Sequence, residues 1–415
     1  MKPAGQLQSV MELVDAILAN QQRPADVIIQ GYFRNRRYIG SSDRRSIGDQ
    51  TYSVLRSYQG LQAALPASST RLLVFAHHIL DKGETIGDIQ ELCSGYGPSP
   101  LSDDEQNILA NLKTYDPFSL PKWLEKRMPD KELIKSLHEQ APFDIRVNTL
   151  KNNRDIVLKS LKYEGFDVVE TPLSPVGIRF GARTPLNTHE FWEDGTLEVQ
   201  DEASQIAGLL CDAKPGMQVL DYCAGAGGKS LNLAASMQNK GNIILSDIHP
   251  HRLQRAKERL RRAGASNYQL KDINKENSWF KRQHSRFDRV LVDAPCTGTG
   301  TWRRNPDLKN RLTPTDLEEL IEVQQKILDQ AQLHVKPKGR LIYVTCSALE
   351  EENNRQVAWF LSKYPEFQSV SVIEVWKETL GTLCPFSTVT AQFMPNIHKT
   401  DGFFISIFEK KDKKI

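Results

Sequence analysis

The chain has 415 residues, of which 39% are hydrophobic and 25% are charged. This composition is ordinary for a globular protein, and the length predicts about two to four domains. The net charge of +3 indicates no polyanion partner by itself. The sequence has no run of about 20 apolar residues that could span a membrane, and its start lacks the basic-then-apolar plan of a signal peptide. We therefore expect a cytoplasmic protein without a membrane association.

The cysteines are few and far apart in the sequence. No two have the Cys-x-x-Cys spacing that zinc sites and redox motifs use, and six in a chain of this length are too few for a disulfide scaffold. The sequence therefore predicts a reducing compartment and no metal site. Each thiol is either catalytic or a small buried hydrophobe. The six cysteines are Cys93, Cys211, Cys223, Cys296, Cys346 and Cys384.

Residues 1–115 have the apolar spacing of helices and predict an all-α domain. MELVDAILANQ and SSDRRSIGDQTYSVLRSYQGL each place apolar side chains on one helical side. Within residues 31–60, six arginines stand against two aspartates. That cluster is either a solvated helix face or a surface that contacts phosphates, and the pattern leaves both interpretations open.

Residues 116–200 mix helical and strand patterns. After a helical stretch, FDIRVNTL reads as a strand, NNRDIVLKSLKYEG as an amphipathic helix, and FDVVETPL and VGIRFG as two more strands. Strand, helix, strand and strand within so few residues predict a small α+β module.

From residue 201 to residue 415, short apolar runs alternate with helical stretches. The runs are MQVLDYC, NIILSD, YQLKD, DRVLVD and RLIYVTC. This alternation predicts an α/β domain with a doubly wound, Rossmann-like parallel sheet. The segment TDGFFISIFEK alternates in the manner of a strand and predicts an additional edge strand.

A glycine-rich turn, VLDYCAGAGGKS, joins the first of these strands to a helix. Gly225, Gly227 and Gly228 allow a tight turn and a close approach of the backbone to a ligand. The phosphate-binding P-loop is excluded because Cys223 stands where that motif needs its first glycine. The dinucleotide fingerprint does not fit either, because Ser230 occupies the place of its third glycine.

Acidic residues end the next two strands. Asp247 follows Gly225 by 22 residues, the distance at which an acid binds ribose hydroxyls, and Asp272 ends the strand after that. An adenosine-bearing ligand without a pyrophosphate fits this pattern best, and S-adenosylmethionine is such a ligand. The alternative is that each aspartate caps a helix or a loop.

Two cysteines follow the fourth and fifth strands of this domain. DAPCTGTG contains Asp293 and Cys296, and TCS contains Cys346. If these strands are neighbours, both thiols and the carboxylate face one crevice beyond the carboxyl ends of the sheet. Ser347 and Glu350 have capping-box spacing, which predicts that Cys346 precedes a helix N-terminus whose positive end lowers the thiol pKa.

A thiolate, an acid and a methyl sulfonium together suit methylation of carbon 5 of cytosine. Addition of a thiolate to carbon 6, with protonation of nitrogen 3, makes carbon 5 nucleophilic. One thiol can be the nucleophile and a second could assist release. Methyltransferases that act on amino groups need no thiol and carry Pro-Pro-aromatic after the same acid, which Pro295 and Cys296 do not match. The alternative is that both cysteines are structural.

Several motifs resemble one family in its own order: VQDEASQ, DYCAGAGGKS, DAPCTGTG, RRNPD, TCSALEEEN and TDGFF. Over about residues 120–415 the chain resembles the RsmB/Sun-type (RsmB/NOP family) RNA 5-methylcytosine methyltransferases of bacteria. The resemblance implies that Cys346 is the nucleophile and that Cys296 helps product release. The acid that the chemistry requires is Asp293, which ends the same strand as the Pro-Cys motif. The resemblance also implies cofactor contacts at Cys223, Ala224, Gly225, Ala226, Gly227, Gly228, Lys229, Asp247, Asp272 and Asp293.

The rest of the resemblance concerns RNA binding. RVNTLK, with Arg146 and Asn148, resembles the RNA-binding segment of the family. Residues 1–115 more loosely resemble the NusB-like helical domain at the start of bacterial RsmB. Residues 251–289 hold twelve basic and four acidic side chains, and Arg303 and Arg304 follow the active-site loop. We expect those two arginines to contact phosphates, whereas the basic helix within 251–289 could equally be a solvated face.

The sequence as a whole predicts a monomeric RNA cytosine-C5 methyltransferase that uses S-adenosylmethionine, with small-subunit ribosomal RNA as substrate. The same chemistry on transfer RNA is one alternative. Another is a non-catalytic RNA-binding factor in ribosome assembly, which the intact cysteines and Asp293 disfavour. A small-molecule methyltransferase would leave the two RNA-type domains unexplained.

Overall fold

The computed structural model describes residues 1–20, 22–66 and 68–412. These residues fall into two compact units. The helical unit consists of residues 1–139 and 302–314, and the sheet unit consists of residues 140–301 and 315–415. Within the described residues, no helix combines the length and the apolar character that crossing a bilayer requires.

Helices make up the first 139 residues. The apolar stripe predicted for the first helix, Met11, Val14 and Leu18, faces the core: Met11 and Val14 are buried, and Leu18 is partly buried and packs against it. Their bounds are α1 (Pro3–Ala19), α2 (Ala25–Asn35), α3 (Ser41–Ala64), α4 (Thr70–Lys82), α5 (Ile86–Leu92), α6 (Asp103–Ala110), α7 (Lys122–Glu125) and α8 (Lys131–His138).

Strands and helices alternate beyond residue 139. The elements in chain order are β1 (Phe143–Val147), α9 (Arg154–Tyr163), β2 (Val168–Glu170), β3 (Gly177–Phe180), α10 (Glu190–Glu193), β4 (Leu197–Val199), α11 (Glu202–Leu209), β5 (Gln218–Asp221), α12 (Gly228–Ser236), β6 (Asn242–Asp247), α13 (Pro250–Arg262), β7 (Tyr268–Asp272), α14 (Asn277–Lys281), β8 (Phe287–Asp293), α15 (Asp307–Arg311), α16 (Pro314–Ala331), β9 (Val335–Thr345), α17 (Asn354–Lys363), β10 (Phe367–Val370), α18 (Val372–Thr379), β11 (Ala391–Phe393), α19 (Pro395–His398) and β12 (Phe403–Lys410).

The segment 302–314, which carries α15, completes the helical unit. The buried Lys309 ammonium donates to the Arg56 carbonyl (2.8 Å) and lies 2.6 Å from His138 Nε2. Asn310 Nδ2 donates to the carbonyl of Leu55 (2.9 Å). Burial lowers the pKa of Lys309 to about 7 and that of His138 to about 3. The neutral imidazole can therefore accept the hydrogen bond from Lys309.

The predicted α+β module forms a four-stranded antiparallel sheet in the order β2-β3-β1-β4. Helix α9 packs on this sheet through Val157, Leu158 and Leu161, which share a core with Ile145 and Ile178 of the strands. The apolar face predicted for this helix is the face that it buries.

The larger sheet has the order β10-β12-β9-β8-β5-β6-β7, with β11 paired to β12. Strands β5 to β9 are mutually parallel, as predicted, and β12 runs antiparallel to β9. The prediction of an edge strand for TDGFFISIFEK is wrong, because β12 lies between β9 and β10. The side chains from Phe403 to Phe408 of β12 are buried on both faces of the sheet. The alternation of apolar and polar residues in this segment therefore does not mark a strand with one face in solvent.

Candidate active site

The glycine-rich turn connects β5 to α12 with a left-handed backbone. Gly225 has φ +54° and Gly227 has φ +77°, values that only glycine adopts without strain. A Cβ on Gly227 would lie 2.9 Å from Ala256 Cβ of α13, so this glycine also allows the close packing of two helices. A Cβ on Gly225 would meet no atom within 4 Å. The turn therefore leaves open space in front of Gly225.

Asp247 lies beside this space, at the end of β6. Its Oδ2 accepts from the backbone amide of Gly225 (2.9 Å) and its Oδ1 from the amide of His249 (2.8 Å). Asp272 is its partner in the register of β6 and β7, and it accepts from the Asn274 amide (3.0 Å). The two predicted acids therefore lie next to each other at the carboxyl edge of the sheet.

Lys229 and Asp293 form an ion pair next to the turn. Lys229 Nζ lies 2.6 Å from Asp293 Oδ2, and the lysine side chain is buried whereas the carboxylate is about one-third exposed. Burial alone would lower the pKa of Lys229, but the charge and hydrogen bond of Asp293 outweigh it and raise that pKa. The ammonium also lies 5.3 Å from the ring centroid of Phe403. Asp293 is thus held by a buried cation while its carboxylate reaches solvent.

Asp221 lies beneath the turn, at the end of β5. Its Oδ2 accepts from the Ser230 hydroxyl (2.6 Å), while the buried Oδ1 has no hydrogen-bond partner among the described residues. Burial raises the pKa of Asp221 to about 7. Asp221 belongs to the sequence VLDYCAGAGGKS, but nothing in the glycine pattern indicates that its carboxylate is buried.

The two predicted catalytic thiols are adjacent. Strands β8 and β9 are parallel neighbours, and Cys296 Sγ lies 3.4 Å from Cys346 Sγ. Both cysteines are free and partly exposed. The hydrogen bond with Cys346, burial, and the charges of Cys346 and Glu352 raise the pKa of Cys296 well above the usual value. These surroundings favour the protonated form of Cys296.

The predicted capping box after Cys346 is wrong. The next helix begins only at Asn354, and residues 347–353 form a loop. The Ser347 hydroxyl accepts from the Leu349 amide (3.0 Å) and hydrogen bonds to the hydroxyls of Thr297 and Thr299. The helix that follows Cys346 in the described structure therefore begins eight residues after it, and its N-terminus does not adjoin the thiol.

Cys223 contributes to the turn through its backbone. Its side chain packs against the apolar cluster under the sheet, and burial raises the pKa of its thiol well above the usual value. Cys93 and Cys211 are buried, which fits small structural hydrophobes. Among the described residues, no group of three or more His, Cys, Asp and Glu side chains could hold a metal ion.

The residues predicted to contact RNA have mixed placements. Arg146 is buried and donates from Nε to Gln200 Oε1 (2.7 Å), and Asn148 is buried and donates to the Ala263 carbonyl (2.8 Å). These contacts favour a structural role for both. Arg303 is also buried and Arg304 is half-buried, and both belong to the helical unit. The RNA contacts of all four stay predictions.

Arg259 of α13 is a residue that sequence reasoning missed. Its Nη1 donates to the Ala226 carbonyl in the turn (2.6 Å), and its Nη2 pairs with Glu198 of β4 (2.9 Å). In the sequence it is one of several basic residues on this helix, so the pattern carried no signal for it.

The mixed sheet, the glycine turn with its strand-end acids and the paired thiols define an S-adenosylmethionine-dependent methyltransferase. Comparison with known proteins agrees. Residues 209–409 match the family model described as 16S rRNA methyltransferase RsmB/F, and residues 120–187 match the ferredoxin-like domain of RsmF/B-like methyltransferases. The chain belongs to the RsmB/F family of 16S rRNA methyltransferases.

Individual relatives support this membership. A probable ribosomal RNA small subunit methyltransferase B from Bacillus subtilis is 34% identical over 301 residues, which are 71% of this chain and 67% of that protein. Ribosomal RNA small subunit methyltransferase B from Klebsiella pneumoniae is 31% identical over 70% of this chain and 66% of its own length. The alignments thus span about two thirds of these relatives.

Solved structures agree with the fold. The crystal structure of PH0851 is 26% identical, with a TM-score of 0.77 over 99% of both chains. A methyltransferase homolog protein from Pyrococcus horikoshii is also 26% identical, with a TM-score of 0.60 over 71% of this chain and 96% of its own.

Proposed function

We propose that this enzyme methylates carbon 5 of a cytosine in small-subunit ribosomal RNA through a covalent adduct on Cys346. The observation that carries the proposal is the pair of thiols 3.4 Å apart at the ends of two neighbouring strands. Methyl transfer to an amino group needs no thiol, whereas carbon 5 of cytosine becomes nucleophilic only after a nucleophile adds to carbon 6.

The residues of the turn fit S-adenosylmethionine. Open space lies in front of Gly225, and the Asp247 carboxylate stands beside that space with Asp272 next to it. We infer that residues 223–229 and these two acids would hold the cofactor. When bound, S-adenosylmethionine supplies an electrophilic methyl group to carbon 5.

Adduct formation uses Cys346 and Asp293. The Asp293 carboxylate takes the proton of the Cys346 thiol, and the thiolate sulfur forms a bond to carbon 6. The electron pair of the double bond between carbons 5 and 6 moves toward nitrogen 3, which receives the proton from Asp293. Lys229 holds the carboxylate in place through both protonation states by its 2.6 Å contact. Carbon 5 is then an enamine carbon that can accept a methyl group.

Product release uses Cys296. Once Cys346 is bonded to carbon, it can no longer act as a neighbouring thiolate, and two of the causes that raise the pKa of Cys296 are removed. Cys296 then loses its proton to solvent more readily and can take the proton from carbon 5. The double bond reforms, the bond from sulfur to carbon 6 breaks, and the nitrogen 3 proton returns to Asp293. Cys346 leaves as a thiolate.

We propose the same division of the chain that its sequence suggests: a helical NusB-like domain at 1–115, an RNA-binding α+β module at 116–200 and the methyltransferase domain at 201–415. We also propose that the enzyme acts on RNA in the cytoplasm as a monomer. The base must leave its stack to reach Cys346, at a cost of a few kcal/mol, and phosphate contacts by the basic residues would offset this cost.

Two cysteine variants test the chemistry. Cys346→Ala is expected to abolish methyl transfer and give no adduct. Cys296→Ala is expected to form the adduct and release it slowly, which leaves protein crosslinked to RNA on a denaturing gel. If Cys346→Ala crosslinks and Cys296→Ala does not, the two roles are reversed.

The substrate needs a separate test with the full chain. Protein-free small-subunit ribosomal RNA is compared with total transfer RNA, and bisulfite sequencing identifies the modified cytosine. Better methylation of transfer RNA would refute the ribosomal assignment and leave the cysteine chemistry standing.

A further inference from the structure

Glu352 is a fully buried carboxylate six residues after Cys346. Its Oε1 accepts from the backbone amide of Thr297 (2.8 Å) and from Gln324 Nε2 (2.9 Å), and its Oε2 accepts from the Thr297 hydroxyl. These partners are a backbone amide, a hydroxyl and a side-chain amide, all of them neutral. A buried polar group is costly unless it is hydrogen-bonded, and both Glu352 oxygens are satisfied by donors from the Cys296 loop and from α16.

Gln324 of α16 links Glu352 to the other side of the Cys296 loop. Gln324 Nε2 also donates to the Pro295 carbonyl (3.0 Å). Tyr343 of β9 donates to Gln324 Oε1 (3.2 Å) or to the Glu352 carbonyl (2.8 Å), which ties the amide and the carboxylate to the same strand.

Pro295 and Thr297 are the two chain neighbours of Cys296. Gln324 holds Pro295 through its carbonyl, and Glu352 holds Thr297 through its amide and hydroxyl. The backbone is therefore fixed on both sides of the thiol. The same contacts join the loop that carries Cys296 to the loop that carries Cys346. A Gly300 amide donating to the Cys346 carbonyl (3.0 Å) adds a further link.

We propose that Glu352 and Gln324 are positioning residues that clamp Cys296 against Cys346 and that they serve product release. This inference rests on the roles proposed above for the two cysteines. Neither side chain reaches the substrate; each acts through the backbone of residues 295–297. The clamp has no part in the bond from Cys346 to carbon 6, so its loss should spare adduct formation.

The test separates the two half-reactions with protein-free small-subunit RNA and labelled S-adenosylmethionine. Formation of the adduct and its release are timed on denaturing gels under single-turnover conditions. Glu352→Ala removes three hydrogen bonds, from the Thr297 amide, the Thr297 hydroxyl and Gln324. We expect it to slow release by about tenfold or more, since a single hydrogen bond to a charged group is worth about that much. Adduct formation should stay within about twofold of wild type.

Glu352→Gln is the conservative variant. Its carbonyl oxygen can accept from Thr297 and Gln324, and its amide can donate to the Thr297 hydroxyl, so the clamp is retained without the charge. Because the charge of Glu352 raises the pKa of Cys296, its removal makes that thiol easier to ionise and does not hinder release. We expect release to return to within about twofold of wild type.

Three further variants complete the design. Glu350→Gln is the matched control, since Glu350 is exposed and precedes Glu352 by only two residues, and it should change neither rate. Gln324→Met removes the Pro295 half of the clamp and decides the question if Glu352→Ala does not fold. In a Cys296→Ala background, Glu352→Ala should slow release no further, because residues that act through one group are not additive.

The outcomes are distinguishable. Equal slowing of formation and release by Glu352→Ala, or equal defects in the alanine and glutamine variants, would overturn the clamp. Further slowing in the Cys296→Ala background would also overturn it. If wild type and Cys296→Ala form no adduct at all, the proposed function itself fails.

Discussion

The buried ammonium group of Lys309 should make the stability of the helical unit depend on pH. Lys309 is 2% exposed, and burial lowers its pKa from 10.5 to about 7, with Asp116 opposing and Arg56 adding to this effect. Between these two values the unfolded chain binds a proton that the folded chain does not bind. Stability therefore rises with pH in this window.

The size of the effect follows from the shift. A pKa difference of about 3.5 units corresponds to a change of about 5 kcal/mol in the free energy of unfolding between the two pKa values. Between pH 7.5 and pH 9.5, linkage gives an increase of about 2.5 kcal/mol in the free energy of unfolding. Lys309→Met keeps the length of the side chain but cannot titrate, so this part of the pH dependence should be absent from it.

Urea unfolding followed by circular dichroism at several pH values measures the difference. Subtraction of the Lys309→Met curve from the wild-type curve removes the contribution of all other titrating groups. Lys113→Met, at an exposed position of the same unit, is the matched control and should give a curve parallel to wild type. Parallel curves for wild type and Lys309→Met would refute the reasoning.

Three more predictions concern the turn, its buried acid and the docked segment. Gly225→Ala should weaken S-adenosylmethionine binding in calorimetry, because the new Cβ enters the open space beside Asp247. Gly216→Ala is the control, since Gly216 also has a left-handed backbone (φ +92°) and open space around a Cβ, and it should leave binding unchanged. Equal binding by both variants would count against the site. Burial raises the pKa of folded Asp221 to about 7, so its contribution to stability should fall as pH rises from about 4 to about 7. Relative to wild type, Asp221→Asn should therefore gain at most about 4 kcal/mol across this range, and parallel pH profiles of the two in urea unfolding would contradict this. Removal of residues 1–115 takes away the Leu55 and Arg56 carbonyls that hold Asn310 and Lys309. Trypsin should therefore cut within segment 302–314 much faster than in the full chain, and equal cleavage rates would show that the segment does not depend on those helices.

Patterns that depend on neighbouring residues in the chain were predictable. The parallel strands, the amphipathic helices and the glycine turn follow from apolar spacing and from backbone freedom. The placement of Asp247 and Asp272 followed because carboxyl ends of parallel strands share one edge of a sheet. The adjacency of Cys296 and Cys346 depended on the further assumption that β8 and β9 are neighbours, which the structure confirms.

Patterns that depend on distant partners were not predictable. Ser347 has capping-box spacing, but the hydroxyls of Thr297 and Thr299 compete for it from another loop. Arg146 looks like any basic residue in the sequence, and only the folded module shows that Gln200 holds it in the interior. Glu352 is one of three consecutive glutamates, and nothing in that run indicates which of them is buried.

The helical unit has a consequence for the order of events during synthesis. Its last piece, residues 302–314, leaves the ribosome only after residues 140–301 have been made. At about 5–20 residues per second, the eight N-terminal helices wait on the order of 10–30 s for this piece. During that time the carbonyls of Leu55 and Arg56 lack Asn310 and Lys309 as donors. The N-terminal helices therefore wait for their last hydrogen-bond donors until the sheet unit is partly made, and a nascent chain arrested before residue 302 should be more sensitive to protease than the same helices in the finished protein.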